Sequence, residues 1–133
     1  MEELDERSAP AVDAHGIRPP PAYVIEDGPA TGAAAVLVLR GELDLAVAPE
    51  LRARLEPQGA ALAVVVGLAD VTFVDSAVLK ELLRARDLLA GRGVRLVLAG
   101  SSPQVQRLLD LTRTSELFEH APDVESALAR LSR

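Results

Sequence analysis

The chain has 133 residues, a formal net charge of −6, and neither Cys nor Trp. A hydrophobic fraction of 49% supplies a core for one domain, while a pI near 4.9 argues against a nucleic-acid partner, which a basic footprint normally marks. Tyr23, Phe73 and Phe118 are too few aromatics for a base-stacking platform, and the lack of Cys removes disulfides, thiolate zinc sites and Cys nucleophiles.

The acidic start Met1–Glu6 has no apolar region behind it and does not resemble an export signal. No apolar run approaches the roughly 18 residues of a membrane helix; Ala33–Leu39 and Ala60–Val66 are strand-sized. The expectation is a cytoplasmic protein without membrane insertion. Residues 1–21 carry Glu2, Glu3, Asp5, Glu6 and Asp13, then Pro19-Pro20-Pro21, and read as an acidic, Pro-rich flexible tail. Five acids against Arg7 and Arg18 give that tail −3 of the net charge, so the domain at 22–133 is only mildly acidic.

Tyr23–Glu26 predicts a strand and Asp27-Gly28-Pro29 a turn. Ala35–Arg40 is nearly all apolar, a strand buried on both faces, paired with the first as an antiparallel hairpin. After Gly41-Glu42-Leu43-Asp44 a helix follows, with Pro49 in its first turn, Leu51 and Leu55 as its stripe, and Pro57 and Gly59 ending it. Leu62–Val66 predicts a third strand, Gly67–Asp70 a turn, and Val71–Val74 a run to Asp75. Ser76 reads as an N-cap. The helix behind it places Val78, Leu79, Leu82, Leu83, Ala85 and Leu89 on one face, and Lys80, Glu81, Arg84 and Asp87 on the other, with Gly91 and Gly93 as its stop. Val94–Ala99 is the next strand.

Ser102-Pro103 opens a helix with Val105, Leu108, Leu109 and Thr112 inward, Leu117-Phe118 is a short strand or buried turn, and Asp123 caps a last helix bearing Val124, Ala127, Leu128 and Leu131. The fold class is α/β, a small mixed and mostly parallel sheet of four to five strands with about four helices.

Little in the chain suggests catalysis. His15 and His120 have no second ligand at metal spacing. Ser76 lacks a Gly-x-Ser-x-Gly frame, and no glycine-rich loop could cradle a phosphate. Glu42 and Asp44, two apart on an extended segment, point the same way, as a solvated acidic loop also would. No cofactor is expected, and a non-enzymatic role follows. Asp75-Ser76 stands out, because a serine at a helix start faces unpaired N–H groups that would stabilise a phosphate. Capping alone would also explain a serine there.

These residues resemble a known family. Val38–Asp44 is similar to the G-E-L-D signature of STAS domains, the anti-sigma factor antagonists, and Val71–Ser76 resembles their strand leading into D-S-S-G-L. Gly93–Leu98, Ser102–Leu109, Leu117-Phe118 and the final helix resemble the rest, covering roughly residues 22–131 in the same element order. The resemblance implies a binding switch whose unphosphorylated state binds an anti-sigma factor, usually a serine kinase of the histidine-kinase-like ATPase fold, and so frees a sigma factor; an acidic monomer is the expected oligomeric state, a weak dimer the alternative. It makes Ser76 the phosphorylated residue, Asp75 the neighbouring acid, and Glu42, Asp44, Ala77 and Val78 further parts of the partner-binding face. The alternative is a STAS scaffold subunit of a signalling or lipid-transport complex that works without phosphorylation. The chain departs from the family pattern at Ala77 and Val78, where Ser and Gly are usual. It also carries Gly67 where Asp or Asn is usual, and Arg113 where Gly is frequent.

Overall fold

The described residues, 23–28, 32–56 and 61–132 of a computed structural model, form five strands and four helices. Strand β1 (Tyr23–Asp27) leads to β2 (Ala34–Leu43), a single 3-10 turn (Leu45–Val47) and α1 (Ala48–Leu55). Then come β3 (Ala63–Val74), α2 (Ser76–Ala90), β4 (Arg95–Ala99), α3 (Pro103–Thr112), a second 3-10 turn (Ser115–Leu117), β5 (Glu119–Ala121) and α4 (Val124–Leu131). The tail expected at 1–21 and the helix-ending Pro57 and Gly59 lie outside the described residues.

The sheet order is β1-β2-β3-β4-β5. Only β1 runs antiparallel to its neighbour; β2, β3, β4 and β5 are parallel. Strand alternation sorts the core onto two faces. Leu37, Leu39, Val64, Val66, Leu96 and Leu98 pack in one cluster with Leu51 and Leu55 of α1, Val78, Leu82 and Leu89 of α2, and Val105 and Leu109 of α3. Val36, Val65, Val97 and Ala99 face the other way, onto Ala121 and Ala127, with Val124 and Leu128 of α4 against them. Each fully buried leucine of the larger cluster contributes on the order of 2 kcal/mol.

One expected turn is absent. Gly67–Asp70 does not reverse the chain; β3 runs unbroken for 12 residues. Leu68 and Val71 are both 1% exposed, so turning the chain here would expose apolar surface that the strand keeps buried. Asp70 remains in the strand on its exposed side, where Arg40 of β2 reaches it at 3.4 Å and Glu26 of β1 at 2.8 Å. Register shifts between Val38 and Arg40 and between Gly41 and Glu42 each leave one extra residue on β3, marking bulges in that strand, and Gly41 on β2 has a φ of +89°. Gly67 itself sits beside Val38 and Ala99, and a Cβ there would lie 3.0 Å from Val124 Cγ2. The small residue lets α4 approach the sheet.

Smaller departures follow from packing. Thr112 is exposed and Leu108 only half-buried, so the inner stripe of α3 reduces to Val105 and Leu109. Leu117 closes a 3-10 turn and Phe118 is buried, while the short strand begins one residue later. Glu81 is not on the solvent side of α2. It is 8% exposed and receives both Arg52 N–H groups, at 2.9 and 2.7 Å.

Candidate functional site at the start of the second helix

The C-terminal ends of β2 and β3 meet at the beginning of α2. Leu43 pairs with Val74, and the Asp75 N–H then donates to the Leu43 carbonyl at 3.2 Å. That bond holds Asp75 extended, at φ −114° and ψ 178°, the geometry of a residue just outside a helix. Its Oδ1 accepts from the N–H groups of Ala77 at 3.0 Å and Val78 at 3.2 Å. Asp75 is therefore the N-cap, and the expectation that Ser76 caps the helix is corrected. Ser76 is the first helical residue; it is exposed, and its hydroxyl makes no hydrogen bond among the described residues.

The other expected site residues divide into exposed and buried. Glu42 is exposed but lies in β2 opposite Phe73, not on a loop. Asp44 is exposed, and its Oδ1 accepts from the Ala46 N–H at 3.0 Å, capping the 3-10 turn. Ala77 is half-buried. Val78 is 0% exposed and packs in the larger core cluster, so its expected place on a partner-facing surface is corrected: the helical face that carries Leu82 and Leu89 also carries Val78 inward.

Two residues escaped the sequence reading. Leu45 is 69% exposed and Phe73 50%. Strict alternation would send Leu45 inward after Leu43, and Phe73 inward after Val71. The 3-10 turn begins at Leu45, and Val74 rather than Phe73 packs on the core. Phe73 turns outward after the extra residue that the β2–β3 register leaves on β3, and Leu45 lies in the 3-10 turn capped by Asp44; no local pattern announces either.

The electrostatic character of this end is acidic, from Glu42, Asp44 and Asp75. Lys80, four residues after Ser76, is exposed on the same side of α2. Behind the surface, Arg52 holds the Glu81 carboxyl below the usual carboxylate range, chiefly by its hydrogen bonds, and Glu81 in turn raises Arg52. This pair ties α1 to α2. His120 lies elsewhere, with Nε2 2.7 Å from the Ser115 carbonyl. Among the described residues no group of three or more His, Asp or Glu could hold a metal ion.

A family model described as the STAS domain matches residues 27–127. A search of curated proteins found no match. Among solved structures, an anti-sigma factor antagonist from Mycobacterium paratuberculosis is 26% identical, with a TM-score of 0.66 over 84% of this chain and 95% of that one. The anti-sigma factor antagonist SpoIIAA in its unphosphorylated form is also 26% identical, with a TM-score of 0.67 over 82% and 96%. A sulfate transporter family protein from Wolinella succinogenes shares the fold at 19% identity, with a TM-score of 0.66 over 74% and 84%. With the family model spanning most of its length, this chain belongs to the STAS domain family.

Proposed function

We propose that the chain is an anti-sigma factor antagonist: a cytoplasmic binding switch rather than an enzyme, which engages an anti-sigma factor serine kinase and is turned off by phosphorylation of Ser76. The observation that carries this reading is the division of labour at the start of α2. Asp75 fills the amides of Ala77 and Val78, and Ser76 is left exposed beside it. A phosphate adds about −1.5 to −2 charge. Since the nearest amides already bind a carboxylate, that charge is not absorbed by the helix terminus and stays on the surface next to Glu42 and Asp44. Family membership and two antagonist relatives at 26% identity support the same reading.

The test is incubation of the full chain with ATP and each of the serine-kinase anti-sigma factors encoded in its genome, followed by mass spectrometry. The expected outcome is one phosphoryl group, on Ser76, lost in Ser76→Ala. A kinase that binds the chain yet leaves Ser76 unlabelled overturns the switch. Equal partner binding by Ser76→Ala and Ser76→Asp then favours a scaffold that works without phosphorylation, a reading motivated by Ala77 and Val78 in place of the usual Ser and Gly.

A further inference from the structure

Six large apolar side chains are exposed among the described residues: Val24, Leu45, Leu62, Phe73, Leu111 and Leu117. Leu45 and Phe73 are set at the same end of the sheet as Ser76. Phe73 pairs with Glu42 in register, Leu43 pairs with Val74, and the Asp75 N–H is anchored on the Leu43 carbonyl. Leu45 follows two residues later, in the turn capped by Asp44. Two half- to two-thirds-exposed apolar side chains thus lie at the end of the β2–β3 pair that also carries Glu42, Asp44 and Asp75.

We infer that Phe73 and Leu45 are the anchors of this face, and that the partner protein meets them with an apolar pocket bordered by Arg or Lys side chains. The inference rests on the proposed function and names the chemistry of the partner's side. Binding energy at protein interfaces concentrates in a few apolar or aromatic anchors, while charge selects the partner and speeds encounter. Three carboxylates against Lys80 leave this end acidic on balance, and that charge decides between occupants. A second copy of this chain, related by a two-fold axis, would set Glu42, Asp44 and Asp75 against themselves. An anionic lipid surface would be repelled in the same way. A basic rim is attracted.

Calorimetry of the full chain against the kinase that phosphorylates Ser76 tests this. Phe73→Ala is expected to weaken the Kd by roughly tenfold or more, and Leu45→Ala by several-fold. Phe73→Thr, which keeps strand propensity, should match Phe73→Ala, with thermal unfolding showing that both variants are folded. The Kd of the unchanged chain should weaken as NaCl rises from about 50 to about 300 mM. Unchanged affinity in the Phe73 and Leu45 variants, with Ser76 still phosphorylated, overturns the inference and leaves the proposed function standing. A salt-independent Kd overturns the basic rim. Self-association of the unchanged chain that Phe73→Ala abolishes, or its binding to phosphatidylglycerol vesicles, assigns the face to another occupant and overturns the inference. If no serine kinase binds the unchanged chain, both the inference and the function it rests on fall.

Discussion

Helices α2 and α3 begin in nearly the same way and end up with different roles. Each follows a strand that ends near the sheet's C-terminal edge. The cap residue of each has its backbone N–H anchored 3.2 Å from a strand carbonyl, Asp75 on Leu43 and Ser102 on Leu68. At α3 the serine is the cap. Ser102 is 4% exposed and its Oγ accepts from the Val105 N–H at 3.3 Å. Proline occupies the next position, and that end of α3 presents no free hydroxyl from its first residue. At α2 an aspartate takes the cap and the serine falls one residue later, exposed. A shift of one position separates a serine consumed by structure from a serine available for modification.

That contrast can be tested at several strengths. The largest stability effect is expected for Asp75→Ala, which removes an acceptor from two amides at once and should cost about 1–2 kcal/mol in chemical denaturation. Ser102→Ala should cost about 1 kcal/mol and leave phosphorylation of Ser76 untouched. Altered labelling in that variant would erase the distinction between the two helix starts. At the far end of α3, Arg113 holds a left-handed conformation, φ 58° and ψ 39°, where a side chain is strained. Arg113→Gly should raise stability by about 1 kcal/mol, an effect confined to the structural helix. The smallest effect belongs to Ser76→Ala, expected to change stability by no more than about 0.5 kcal/mol. A larger loss would mean that Ser76 has structural work after all.

Much of this was legible in the residues. The continuous apolar runs at Ala35–Leu39 and Leu62–Val66 announce strands covered on both faces, and they become β2 and β3, two of the three interior strands of the sheet. The caps at Ser102 and Asp123 were readable because each is a good capping residue followed at once by a periodic apolar stripe. At Asp75-Ser76 two good caps stand side by side, and local chemistry does not choose between them. The choice is made by where β3 stops pairing. Glu81 illustrates the same limit. Its neighbours on α2 place it on a polar side, but Arg52 arrives from α1 and makes burial tolerable by satisfying the carboxylate twice.

The sequence by itself determined the element order and the α/β class and pointed to the candidate site, because hydrophobic period, turn chemistry and capping propensity are local properties of the chain. It also brought Ser76 into view as the residue of interest. Only the tertiary structure decided that β3 continues through Gly67–Asp70, that Val78 faces the core, that Asp75 rather than Ser76 caps α2, and that Leu45 and Phe73 remain exposed. Those outcomes depend on the bulged register of β2 against β3 and on helices packed from distant segments. Contacts between residues about thirty apart set them, and no window on the chain contains both partners.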